Sequence, residues 1–291
     1  MSTALGNVAV VSTRRHAFEP YIGTVLIAAI ATLLYWHVAI DLFQDWWTQP
    51  NLSQGLLIVP FAAYLAWMRR AETLAFPATP SRRGLLLIGA SCFLYLLGIV
   101  AAEFFLPRIS IVLLLAGCIW TFWGSARLRT LTFPFVLLAT AIPLPALIYN
   151  SAAAPLQLLA SDFASRIAQA VGVTVYRDGN IINLAHMSLG VEEACSGLNS
   201  LSAMIAASVL VGFLICKRVP SRVLLLVLSV PIAIAANVVR VAGTAILADH
   251  NEQFAKGFYH ALSGWLIFLI GFAGLFGVAK LLSVIERRTA V

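Results

Sequence analysis

Charge is what this chain has least of. Asp, Glu, Lys and Arg make up 11% of its 291 residues, against 61% hydrophobic residues. A soluble domain of this length could not cover its core with so few charges. Cysteine is scarce too. The four present (Cys92, Cys118, Cys195 and Cys216) show neither metal-ligand spacing nor a disulfide framework, and no metal or organic cofactor is implied. Inverted repeats and paired broken spans are missing, which counts against a transporter. Gly-x-Ser-Gly is missing around Ser196 and Ser263, where Ala194 and Ala261 stand two residues earlier, and no paired aspartates lie within a span. The serine and aspartyl types of intramembrane protease are thereby removed.

Long apolar runs are what the chain does have. Residues 21–40, 84–102 and 221–248 approach or exceed the ~20 residues needed to cross a bilayer. The expected spans are 21–40, 55–68, 84–102, 109–124, 131–149, 195–216, 223–247 and 260–282. The fold class is therefore an all-α polytopic membrane protein of about eight transmembrane helices, one integral membrane domain over 1–291. The first run is long for the apolar core of a signal peptide and leads into bulky Trp46 and Trp47, so it reads as an uncleaved span.

The net charge of +7 sits in short loops rather than on a nucleic-acid-binding face. With the N-terminus inside, the inner segments hold Arg14, Arg15, Arg69, Arg70, Arg82, Arg83, Arg127 and Arg129. They also hold Lys217, Arg218, Arg222, Lys280, Arg287 and Arg288, fourteen of the 19 basic residues in all. Arg108, Arg166, Arg177 and Lys256 fall outside, and Arg240 lies within a span. The positive-inside rule then puts both termini in the cytoplasm.

The stretch 150–194 is outside on this count. Pro155 suits the first turn of a helix in which Leu156, Leu159, Phe163 and Ile167 oppose Gln157, Asp162, Arg166 and Gln169. That is an amphipathic helix lying on the outer leaflet or on the bundle. Asp178-Gly179 between two β-prone runs signals a hairpin with a type I′ turn.

Three polar positions then meet at the outer face. Cys195 starts the sixth span, with Ser196 beside it and Asn199 and Ser202 following at i+4 and i+7 on one stripe. Arg240 lies inside the seventh span, flanked on one face by Asn237 and Thr244. His260 starts the eighth, with Ser263 and Gly264 below it. Taken singly, a cysteine at a helix start is commonly only a small residue, and an interfacial histidine is often an anchor. An arginine within a span is costly and needs an interior role, unless it snorkels to the interface. Together the three have the chemistry of acyl transfer. Helix N-terminal amides and a guanidinium lower a thiol pKa, imidazole moves protons, and a guanidinium stabilises an oxyanion. His186 and His250 are also outside and compete with His260 as base, although loop roles suit them better. Glu192 and Glu193 would oppose a neighbouring thiolate and are expected to point away from it.

Glu193-Ala-Cys-Ser-Gly-Leu, Asn237-Val-Val-Arg and His260-Ala-Leu-Ser-Gly-Trp resemble, in order and spacing, the three signature motifs of the exosortase/archaeosortase family. The resemblance covers essentially the whole chain, and the absence of an added C-terminal domain is similar to the shorter exosortase B type. The segment from Trp47 to Pro60 resembles the family's first outer loop and following span, but Gln54 stands where the family often has histidine. The resemblance implies a cysteine peptidase or transpeptidase with Cys195 as nucleophile, Arg240 as electrostatic stabiliser and His260 as acid/base. Ser196, Asn199 and Asn237 would support them. It implies a multi-pass protein of the bacterial inner membrane with its site at the periplasmic face. The implied substrates are exported proteins ending in a Pro-Glu-Pro-type signal, one transmembrane helix and a basic tail; the lipid bilayer is the other partner, and nucleic acid is not one. The alternative is a polytopic transporter or membrane assembly factor with Arg240 as an intramembrane anion site.

Overall fold

The computed structural model describes residues 19–49, 52–191, 198–255 and 257–288, with the backbone alone for 19–28, Ala146, Leu198, Asn199, His260 and Ala261. The chain divides into two compact units, Met1–Thr48 with Ala63–Phe135, and Gln49–Ala62 with Val136–Val291. Its helices, in order, begin with α1 (Glu19–Thr48), α2 (Gln54–Met68), α3 (Arg70–Ala75) and α4 (Gly84–Val100). Then come α5 (Phe105–Trp123), α6 (Ser125–Thr130), α7 (Thr132–Ala139) and α8 (Ala146–Ala170). Strands β1 (Tyr176–Asp178), β2 (Ile181–Asn183) and β3 (Ser188–Gly190) precede α9 (Leu198–Ile215), α10 (Val219–His250) and α11 (Gly257–Arg288). Phe105–Trp123, Val219–His250 and Gly257–Arg288 are long and apolar enough to cross a membrane, and shorter apolar helices cover Gln54–Met68, Gly84–Val100 and Ser200–Ile215. This is a membrane protein.

In the first unit α4 and α5 pair most closely, and the cause is local sequence. Gly84, Ser91 and Gly98 recur at intervals of seven on α4 and are all buried. Lipid supplies little hydrophobic drive between helices, so small residues that let backbones approach do the work instead. A β-carbon at Gly98 would fall 2.3 Å from Pro107 Cδ, and one at Gly84 only 2.5 Å from the backbone nitrogen of Thr121. Tyr35 of α1 closes the seam, its hydroxyl 2.8 Å from Ser110 Oγ and 3.2 Å from Ser91 Oγ. Arg108 is buried and pairs with Asp45 at 2.5 Å, so this arginine joins α5 to α1.

The second unit is organised around α10, which packs on α8, α9 and α11. Three of these helices converge at Gly271, where a β-carbon would meet Met204 Cε of α9 at 2.9 Å and Ala236 Cβ of α10 at 3.3 Å. Below this point Met204, Val211, Leu225, Ala233, Leu275 and Ala279 form a buried cluster.

Two expectations need correction here. Residues 131–149 are not one helix: α7 stops at Ala139 and α8 starts at Ala146. Pro143 and Pro145 explain the break, since proline lacks the helical donor and disfavours helical geometry in the residue before it. Pro155 lies inside α8, not in its first turn, and Pro145 takes the N-cap position. The packed face of α8 is made of small residues. Ala153, Ala160, Ala164 and Ala168 are buried and Leu159, Phe163 and Ile167 are exposed, so of the two placements expected for the large-residue stripe, on the bundle or on the outer leaflet, it is not packed on the bundle.

The hairpin exists but is larger than expected. β1, β2 and β3 form an antiparallel sheet with Asp178 opposite Ile181 and Ile182 opposite Leu189. The two-residue loop is thus Gly179-Asn180, and only Gly179 has positive φ, +60°. That is the type II′ pattern, with glycine first, rather than type I′. Ile182 is fully buried with Ala160, Ala164, Val191, Val241 and Ala245, so the sheet seats on α8 and α10. Asp162 holds Arg177 at 3.5 Å, and Ser161 Oγ donates to the carbonyl of Gly179.

Candidate active site

The sheet's consequence for the site lies at its exit. Val191 is 2% exposed, its N–H donates to the carbonyl of Asn180 at 2.9 Å, and its carbonyl accepts from Asn180 Nδ2 at 3.2 Å. The chain leaves this clamp and reaches Cys195 four residues later. Cys195 and Ser196, with Glu192 and Glu193, lie outside the described residues. Asn199 is the second residue of α9 and His260 the fourth residue of α11. Both are placed by their backbones.

Arg240 is placed in full. It is half-buried on α10, ten residues before the helix end at His250, or roughly 15 Å along the axis at 1.5 Å per residue. Asn237, 96% buried, lies one turn earlier on the same face. Thr244, one turn later, donates its hydroxyl to the Arg240 carbonyl at 2.9 Å. The guanidinium reaches α11: an ideal β-carbon at Gly264 would sit 3.5 Å from Arg240 Nη1. Gly264 follows His260 by four residues, so the two share a helix face. The second and third motifs are therefore brought together, with the arginine one turn deeper than the histidine's backbone position.

One contact was not anticipated. Gln54 Nε2 at the start of α2 donates to Ser202 Oγ at 3.3 Å. Ser202 is the lower end of the stripe that begins at Cys195. The departure at Gln54 had signalled that position, and the i+7 spacing had signalled Ser202, but nothing in the sequence joined them. Gln49–Ala62 also clusters with the unit that carries the three motifs.

The two other candidate bases are both exposed. His250 is exposed at the end of α10, with Nδ1 3.2 Å from the carbonyl of Ile246. His186 is exposed in the turn between β2 and β3. Among the other cysteines, Cys216 is 1% exposed with Sγ 3.9 Å from the carbonyl of Ala279, and Cys92 and Cys118 belong to the first unit.

A family model described as a transmembrane exosortase matches residues 46–277, which include all three motifs and the Gln54 segment. Neither a curated protein nor a solved structure matches the chain.

Proposed function

This chain belongs to the transmembrane exosortase family, and from that premise we propose that it is a cysteine peptidase or transpeptidase acting on the C-terminal sorting signals of exported proteins. The observation that carries the reading is the approach of the Arg240 guanidinium to Gly264, one helical turn below His260. It brings a fixed, permanently charged group to the face of α11 on which an acid/base residue stands.

In the proposed reaction His260 takes the Cys195 proton, and the thiolate attacks the carbonyl carbon of the scissile peptide bond. Arg240 stabilises the oxyanion of the tetrahedral intermediate. His260 then returns the proton to the leaving amine as the C–N bond breaks, leaving a thioester on Cys195. A nucleophile, either water or an amine, attacks the thioester and regenerates the thiol. Ser196, Asn199 and Asn237 support the site. The substrate carries a Pro-Glu-Pro-type signal followed by one transmembrane helix and a basic tail, and the enzyme is of the shorter B type. The charge pattern supports a bacterial inner-membrane location, cytoplasmic termini and a site at the periplasmic face.

The test is intact-mass measurement of a co-expressed substrate with and without the enzyme. Loss of the C-terminal segment in the presence of the enzyme is expected. An unchanged mass in cells that contain the inserted enzyme would contradict the reading.

A further inference from the structure

At the end of the second unit opposite the candidate site, the end of α9, the turn that leads into α10 and the end of α11 line a cavity of about 140 Å³ through Ile215, Lys217, Arg218, Ser283, Glu286 and Arg287. Glu286 is its floor. Its side chain is buried, and its carboxylate accepts the N–H groups of Lys217 and Arg218 at 2.9 and 3.0 Å. The Ser221 hydroxyl adds a further bond, and together these hold the carboxyl below the usual glutamate range. The carboxylate is thus spent on the turn between α9 and α10. The charge of Arg218 also favours the ionised carboxylate, which leaves Lys217 and Arg287 as the cations the mouth offers to a ligand. Lys217 and Arg287 are exposed, and neither forms an ion pair among the described residues.

The surroundings of this cationic mouth are apolar. Leu214, Val219, Leu281, Val284 and Ile285 all stand exposed beside it, from 45% to 65%. A free polyanion has no use for such a flank, whereas a lipid has both a charged head and chains to lay along it. The volume is close to that of a cavity that holds a benzene ring, ~150 Å³, and so admits a phosphodiester head. We propose that this cavity is a binding site for the phosphate head of an anionic glycerophospholipid, whose acyl chains run along the exposed apolar faces of α10 and α11. Basic pockets between transmembrane helices take anionic head groups for the same reason. The site binds the leaflet on the side that the charge pattern makes cytoplasmic, and it is independent of the chemistry at Cys195.

The test uses the full chain purified in detergent and incubated with equimolar phosphatidylglycerol and phosphatidylcholine, with retained lipid counted by native mass spectrometry. Preferential retention of phosphatidylglycerol is expected. Lys217→Gln and Arg287→Gln should each weaken it about fivefold, and the double variant should abolish the preference. Arg82→Gln/Arg83→Gln removes two exposed basic residues of another inner loop and serves as the control for bulk charge. It should leave retention unchanged, and all variants should keep the parent's melting temperature. Equal retention of the two lipids overturns the proposal. So does an equal loss in the control variant, and so does full competition by millimolar inorganic phosphate, which would mark a soluble-anion site.

Discussion

Arg240 and Gly264 meet without a side chain between them: a β-carbon at Gly264 would lie 3.5 Å from Nη1, at ordinary contact distance. The glycine thus leaves just enough room for the guanidinium on the α11 face that also carries His260. Gly264→Ala should therefore insert normally and process substrate within a few-fold of the parent. Gly264→Leu has no such room and should displace the arginine, lowering turnover by about 10²-fold. Substrate processing in membranes, normalised to enzyme level, checks both. Full activity in the leucine variant would show that the guanidinium's position is irrelevant.

Arg240→Lys is expected to be as damaging as truncation, at about 10²-fold or more in turnover. A guanidinium holds two acceptors in fixed geometry and stays charged, whereas a buried ammonium is a point charge that can shed its proton. Near-normal turnover in the lysine variant would reduce Arg240 to a source of charge.

The Gln54–Ser202 bond ties the start of α2 to the cysteine stripe. Gln54→Leu and Ser202→Ala should each slow processing about fivefold, the worth of one modest hydrogen bond. Gln54→His should retain activity, because an imidazole N–H can donate in the amide's place. If the histidine variant fails as badly as the leucine variant, the bond is not what the position supplies.

Glu286 gives a pH dependence. Its carboxyl is held below the ordinary value by the Ser221 hydroxyl, then by the two backbone N–H groups and the charge of Arg218, opposed by partial desolvation. A lowered folded-state pKa means that its stabilisation is complete above the unfolded value of about 4.3 and is lost as pH falls through the lower one. Melting temperature in detergent should therefore fall more steeply below about pH 4.3 in the parent than in Glu286→Gln. At neutral pH Glu286→Ala should cost about 2 kcal/mol, because it strands two N–H groups. Parallel pH curves for parent and glutamine variant would remove the carboxylate from the account of the α9–α10 turn.

The helices that were legible in the sequence are those whose ends are marked by composition. Gly84–Val100 and Gln54–Met68 lie within two residues of the runs read from hydropathy alone. The run 131–149 misled because apolar content outweighed Pro143 and Pro145, which act through backbone geometry and not through hydropathy. The stripe Leu159–Phe163–Ile167 was readable as one face of α8, but not which of its two placements it takes. Periodicity identifies two faces, but whether the large or the small face packs depends on how closely the partner approaches, and in a membrane alanines win. At the site, the spacing of Asn237, Arg240 and Thr244 was readable. The meeting of Arg240 with Gly264 and of Gln54 with Ser202 was not, since both are contacts between elements. Glu286 drew no attention because an acidic residue near a basic inner end resembles an ordinary loop charge.

Orientation is tested by labelling with a membrane-impermeant maleimide in spheroplasts lacking the native cysteines. The reporter for the outer face belongs at Asp178 rather than Gly179, whose φ of +60° would strain any side chain. Asp178→Cys should label in intact spheroplasts, and Ser125→Cys only after permeabilisation. The reverse pattern would place the candidate site in the cytoplasm and contradict its role in processing exported proteins.

The central claim is that a single thiol, Cys195, carries the reaction, and intact-mass analysis of a co-expressed substrate with three forms of the enzyme tests it most directly. The parent should yield a substrate shortened at its C-terminus. Cys92→Ala/Cys118→Ala/Cys216→Ala should yield the same product, since Cys216 is buried against Ala279 and the other two belong to the first unit. Cys195→Ala, inserted at the same level, should leave the substrate at full mass. A shortened substrate with Cys195→Ala would contradict the account, whatever the other variants show.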